Sequence, residues 1–248
     1  ERGAIHSIEF LEYKSVEEIQ SEIDEQIGGQ GININAEYDV SLYKIIYETL
    51  NGYGDSTLAS GVIGIPQDTE NAFGMMSWQH GTVIKRNSVS SVEGFHLLSM
   101  ILSSAGYVYI EADYLGLGIS EDFHPYCMDT PSANSVIDMI RAGRNFCSDS
   151  NSIQLNNQIS LVGYSEGGYA TLAAQKMMEQ DYPDEFDITI SFPMAGPYDL
   201  SGTMVDIMLS QELYGKPYYL PYVLLAYIDY YSLGELEDFF LPEYAEIL

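Results

Sequence analysis

Basic residues are scarce in this chain: 9 Lys and Arg stand against 37 Asp and Glu, a formal net charge of −28. A surface this acidic repels phosphate backbones and anionic headgroups. Nucleic-acid binding and electrostatic docking on acidic membranes are therefore not expected. Long apolar runs are also missing, so no transmembrane segment is expected. The apolar, aromatic stretch Tyr218–Tyr231 is too short to span and is interrupted by Asp229. The chain opens on Glu1 rather than Met and carries no secretory h-region, the expectation for a chain whose leader has been removed. Cysteine is nearly absent, and the two present, Cys127 and Cys147, flank a helix-like stretch from Pro131 to Phe146. About 16 helical residues extend about 24 Å at 1.5 Å per residue. A disulfide needs Cα atoms within about 7 Å, so two thiols are expected rather than a bridge.

What is present reads as one globular α/β unit. Hydrophobic residues make up 46% and charged residues 19% of 248, ordinary for a folded domain of this length. Ser15-Val16-Glu17-Glu18 has capping-box spacing and opens a short N-terminal helix. Val40–Leu50 and Leu58–Ile65 are β-rich and separated by Asn51-Gly52-Tyr53-Gly54-Asp55, so a hairpin is expected. From there β-like and α-like segments alternate. Strands are expected at Ala72–Trp78, Tyr107–Ala112, Ile159–Gly163 and Asp187–Phe192. Helices are expected at Val92–Ser104, from Pro131, and from Gly167 to about Gln180. Such alternation predicts an α/β fold with a mostly parallel sheet and helices on both faces. After Asp199 the chain is rich in Leu, Met and Tyr with no further clear strand, which predicts a helical cap. The organisation expected is residues 1–36 as an N-terminal helix and loop, 37–199 as the core, and 200–248 as the cap.

The segment that carries chemistry is Ile159-Ser160-Leu161-Val162-Gly163-Tyr164-Ser165-Glu166-Gly167-Gly168. It places G-x-S-x-G where an apolar strand meets a small-residue helix. A nucleophilic serine must sit on a sharp, strained turn so that its hydroxyl projects from the sheet edge. Side chains two residues before and after would collide there, hence Gly163 and Gly167 as elbow residues. The helix that follows brings its positive end to a developing oxyanion. The plainer alternative is a Gly-rich strand-to-helix turn with an incidental serine.

With this elbow stand, in order, Trp78-Gln79-His80-Gly81-Thr82, Asp113-Tyr114-Leu115-Gly116-Leu117-Gly118-Ile119-Ser120, His124-Pro125-Tyr126 and Ala195-Gly196-Pro197-Tyr198-Asp199-Leu200. The set resembles the α/β-hydrolase superfamily, and within it the secretory lipase family and its bacterial secreted esterase relatives. The resemblance runs from about Tyr38 to the end of the chain. It implies the α/β-hydrolase fold, with Ser165 as catalytic nucleophile and the backbone N–H groups of Thr82 and Glu166 as the oxyanion hole, Thr82 in preference to Gly81. It implies no metal and no organic cofactor, a small-molecule or lipid-like ester as partner, and a secreted or periplasmic location. Asp113 is expected to pin its own loop by accepting backbone N–H bonds. His80 is expected to bond locally, and His124-Pro125-Tyr126 to be loop structure or pocket wall. The Glu166 side chain is expected as a solvated or locally bonded carboxylate. The cap tyrosines either pack or wall an acyl or aryl site. Nothing in the sequence fixes an oligomeric state.

One component is lacking. The triad order in this fold is Ser, acid, His, yet His6, His80, His96 and His124 all precede Ser165. Asp199 looks more like a cap boundary than an acid. Two readings follow. In one, the final strands, with the acid and the His, lie beyond Leu248, and the protein is a serine carboxylester hydrolase acting on neutral apolar esters through an acyl-enzyme. In the other, it is a non-catalytic hydrophobic-ligand-binding protein on an α/β-hydrolase scaffold.

Overall fold

The computed structural model describes residues 1–248 apart from 30, 32, 68, 69, 151, 152, 211–213 and 248. The capping box at Ser15 forms: its hydroxyl accepts from the Glu18 amide, and the Glu18 carboxylate accepts from the Ser15 amide at 2.9 Å. Helix α1 (Val16–Ile27) follows and buries Ile19 and Ile23. It is preceded by strand β1 (Ile5–Lys14), which pairs antiparallel with β2 (Val40–Leu50). The segment 1–36, expected as a helix and loop before the core, thus contributes a strand to the sheet. That strand was hidden because it lies at a sheet edge with most of its residues exposed, Ile8 and Phe10 included. Without a buried face no period-two alternation is imposed on its sequence.

Strand β2 continues through the Asn51–Asp55 turn into β3 (Ser56–Pro66), its antiparallel partner. The chain then runs β4 (Ala72–Gln79), α2 (Ser90–Glu93), α3 (Leu97–Ser104), β5 (Tyr107–Ala112), α4 (Asp129–Ser150), β6 (Gln154–Tyr164), α5 (Glu166–Asp181) and β7 (Ile188–Met194). The single helix expected at Val92–Ser104 is instead two. Gly94, at φ 85°, leaves helical space, and His96 recaps the chain by accepting from the Ser99 amide. Cys127 and Cys147 are both buried and not disulfide-linked. After β7 come a π-helical turn at Leu200–Met204, α6 (Val205–Met208), α7 (Tyr219–Tyr231), a 3-10 turn at Leu236–Asp238 and α8 (Pro242–Ala245). Residues 211–213 and 248 of the expected cap lie outside the described residues.

The seven strands are ordered β1-β2-β3-β5-β4-β6-β7. The sheet is mixed: β1-β2, β2-β3 and β3-β5 are antiparallel, while β5-β4, β4-β6 and β6-β7 are parallel. The parallel character read from the alternation belongs to the second half. One face, with Ile45, Ile63, Ile110 and Leu161, packs on α4 and α5 through residues such as Ile137 and Ala174. The other face carries Leu42, Val62 and Tyr109 against Phe95 and Leu102, and Val40 packs with Ile19, Ile23 and Met100. Parallel β5, β4, β6 and β7 end side by side, so the loops after all four meet at one edge, where ligands of open α/β sheets bind.

Candidate active site

Ser165 lies between β6 and α5 with φ 60° and ψ −124°, a conformation few L-residues adopt. Its amide donates to Met194 O at 3.0 Å, tying the turn to the end of β7. The flanking glycines are required by space. A Cβ on Gly167 would overlap Gln79 O and sit 2.7 Å from His80 O; one on Gly163 would overlap Gly167 O and the Thr171 hydroxyl. Gln79 fastens the same junction, accepting from Thr171 Oγ1 at 2.6 Å and donating to Ser77 Oγ at 2.6 Å. Ser165 itself is only half-buried.

The loop after β4 reaches this serine. A Cβ on Gly81 would lie 3.4 Å from Tyr164 O and 3.7 Å from Ser165 Cβ. Thr82 follows, its hydroxyl 2.9 Å from Tyr126 Oη. Glu166 is the first residue of α5, so its amide has no partner within the helix. Gly81, from the loop after β4, and Glu166, at the start of α5, thus lie beside the serine. A cavity of about 160 Å³ opens over Ser165, lined by Tyr126, Leu200, Met204, Met208, Tyr219 and Val223 among others. The cap tyrosines both pack and wall this cavity. Tyr222 stacks on Tyr126 at 4.5 Å and donates to Val83 O at 2.9 Å. Tyr230 donates to Gly52 O at 2.6 Å, and Tyr53 to Asp229 O at 3.0 Å, so α7 is fastened at both ends.

The secretory-lipase family model matches residues 85–200. A solved variant of the rice cell wall degrading esterase LipA from Xanthomonas oryzae is 27% identical at TM-score 0.89, covering 100% of this chain and 65% of that one. A solved protein of Legionella pneumophila is 29% identical at TM-score 0.86, covering 98% and 66%. The chain has the α/β-hydrolase fold, and it resembles the secretory lipases. Candida antarctica lipase A, 16% identical at TM-score 0.50 over 77% of this chain and 41% of that one, shares the fold alone. No curated protein matches the sequence. The chain spans 61–66% of the length of the Legionella and Xanthomonas structures. Among its described residues no helix is long and apolar enough to cross a membrane.

The hydrolase fold gives each histidine a place. His6 is exposed on β1, at the sheet edge opposite β7, 3.4 Å from Glu48 Oε1. His80 bonds locally, Nδ1 to Gly81 O at 2.8 Å and Nε2 to Asp113 O at 3.2 Å, and stacks on Tyr114 at 4.2 Å. His96 caps α3 and faces Glu111 Oε2 at 3.0 Å. His124 lies 2.7 Å from Leu115 O through Nδ1 and 2.7 Å from Glu166 Oε1 through Nε2.

Two expectations are corrected. Glu166 is not solvated: it is buried, and its partner is 42 residues away in the His124-Pro125-Tyr126 turn, which is more than a pocket wall. Sequence offers no signal for this pairing, because neither residue has a local reason to meet the other. Asp113 does not hold its own loop through backbone N–H groups. Its carboxylate accepts from the Ser60 hydroxyl and, at 3.4 Å, from the Ser91 amide. Ser60 then accepts from the Ile119 amide at 3.1 Å, so the loop is pinned through a hydroxyl relay. Burial raises the Asp113 carboxyl above its ordinary range. Asp199 caps the turn after β7, accepting from the Gly202 and Thr203 amides at 3.0 and 2.8 Å, which holds its carboxyl below the usual range.

Proposed function

We propose that the protein is a serine carboxylester hydrolase. Ser165 Oγ gives its proton to the base and attacks the ester carbonyl, the amides of Thr82 and Glu166 hold the oxyanion, the alcohol leaves with that proton, and water then releases the acyl group as the acid and restores the serine. The observation that carries this reading is the backbone of Ser165, strained to φ 60° and ψ −124° at the floor of an apolar cavity. A structural serine gains nothing from that strain, whereas an exposed nucleophile needs it. The likeness to an esterase of known structure supports the same chemistry. The general base and its orienting acid come, in this proposal, from outside residues 1–248. The four histidines are committed to other partners or lie at the far edge, as described above. The apolar lining favours neutral esters with a short acyl group, and the family likeness favours a secreted or periplasmic site of action.

The test is hydrolysis of p-nitrophenyl butyrate by the whole protein. Ser165→Ala is expected to lower kcat at least about 1000-fold, and a fluorophosphonate is expected to label Ser165 once per chain. Unchanged turnover in the variant disproves the assignment. The second reading, a hydrophobic-ligand binder on a hydrolase scaffold, is favoured by the absence of an available histidine among the described residues. It predicts ligand binding with no covalent labelling.

A further inference from the structure

We propose that His124 and Glu166 form a charged positioning pair that holds the Glu166 amide in place for the oxyanion, so that catalysis has an alkaline limit set by His124. The proposal rests on the serine reading above, but one of its tests does not.

The argument begins with hydrogen counts. Both ring nitrogens of His124 face oxygens, Leu115 O and Glu166 Oε1, each at 2.7 Å. A neutral imidazole has one N–H, and only the imidazolium has two. In the charged pair both nitrogens donate, which leaves no lone pair for Ser165 and removes His124 from the role of general base. The pair is deeply buried, with 6% of the His124 and 3% of the Glu166 side chain exposed. Glu166 Oε2 is buried with no hydrogen-bond partner, so the His124 proton is the main compensation for this carboxylate.

The groups facing the pair do not titrate near neutrality. The rings of Tyr114, Tyr126 and Tyr222 lie 5.6–6.2 Å from that of His124. They come from the loop after β5, from the turn that carries His124 and from α7. Burial pushes all three phenols up, and it pushes up the Cys127 thiol, which also feels Glu166. Burial alone would lower His124, yet the charge and hydrogen bond of Glu166, with the Leu115 carbonyl, raise it above its ordinary 6.5.

The consequence for chemistry follows from position. Glu166 is the first residue of α5 and directly follows Ser165, so its amide has no partner within the helix and, in the serine reading, is an oxyanion donor. Its side chain is the opposite end of the same residue. Deprotonating His124 leaves a buried carboxylate uncompensated, which drives Glu166 toward water and moves its amide. Displacements well under 1 Å matter to an oxyanion donor. The other donor loop is held by the same cluster, through Tyr126 on Thr82 and Tyr222 on Val83.

The experiment compares the whole protein with His124→Gln and Glu166→Gln across pH. His124→Gln can still donate to Glu166 but has no titrating proton, and Glu166→Gln can still accept from His124 without charge. Each variant is expected to lower kcat about tenfold with KM within about twofold, as loss of a transition-state interaction does. Each is also expected to abolish the alkaline decline of kcat seen in the unaltered protein. Fluorophosphonate labelling of Ser165 that reaches one per chain at its end-point, at whatever rate, shows that the elbow has folded; should one variant not fold, the other decides. Independently of turnover, the Glu166 amide resonance in an ¹H–¹⁵N spectrum should titrate with the His124 ring, and should not titrate in His124→Gln. An alkaline limb that survives both substitutions, a change confined to KM, or a Glu166 amide indifferent to His124 overturns the proposal. If the unaltered protein does not label at Ser165, the serine reading fails instead, and the amide titration still decides whether the pair holds Glu166.

Discussion

Among the described residues two histidines pair with deeply buried carboxylates, and the two pairs are built differently. Glu111 and Glu166 are equally buried. Glu111 Oε2 accepts from Ser90 Oγ at 2.7 Å, from Tyr109 Oη at 2.7 Å and from His96 Nε2 at 3.0 Å. His96 is partly exposed, and its Nδ1 accepts from the Ser99 amide at the start of α3, so only Nε2 faces Glu111. Among the described residues Glu166 has His124 alone, and its other carboxyl oxygen has no hydrogen-bond partner. The residue types are the same. The number of donors around each carboxylate decides whether the histidine is a replaceable cap or an obligatory counter-charge.

Deleting each histidine tests this asymmetry most strongly. His124→Ala should cost about 3–5 kcal/mol in urea unfolding at pH 6, the cost of stranding a buried charge. His96→Ala should cost about 1–2 kcal/mol, a cap and one of three hydrogen bonds. Equal losses would erase the distinction.

The two pairs should also respond to pH in opposite directions. His124 is raised in the folded protein, so its contribution is complete below pH 6.5 and is lost as pH climbs through the folded value. For Glu111, burial alone would raise the carboxyl, but hydrogen bonds from His96 and Tyr109 hold it below its ordinary 4.5. Its contribution is complete above pH 4.5 and is lost as pH falls through the folded value. Unfolding free energy should therefore decline from pH 6.5 to 9 with a slope no steeper than about 1.4 kcal/mol per unit, one proton's worth. His124→Gln should flatten that alkaline decline and leave the acid side unchanged.

The smallest effect is expected at the cap. Tyr222→Phe removes the hydroxyl bonded to Val83 O but keeps the stacked ring, at about 1 kcal/mol. A cycle with His124→Gln should show coupling, since the two rings are 5.6 Å apart. Strict additivity would mean that the Val83 loop and the Glu166 turn are held independently.

Local regularities in the chain predicted much of this architecture. The capping box at Ser15, the hairpin at Asn51–Asp55 and the strand–Gly–helix junction at Ser165 are short-range features, because each is dictated by residues within four positions. Strand β1 escaped because an exposed edge imposes no alternation. The break in the Val92–Ser104 helix escaped because Gly94 and His96 leave the apolar periodicity intact while ending the backbone path. The role of Asp113 was half visible: that it pins a loop, though not that Ser60, on β3, relays the bond.

The order of residues along the chain was enough to define an α/β sheet, to place one strained serine at its edge and to set two glycines beside it, because steric exclusion acts between near neighbours. Only folding could join His124 to Glu166, stack Tyr222 on Tyr126 and bring Gly81 against Ser165. Charge compensation and close packing act through space, and residues tens of positions apart leave no mark on one another until the strands align.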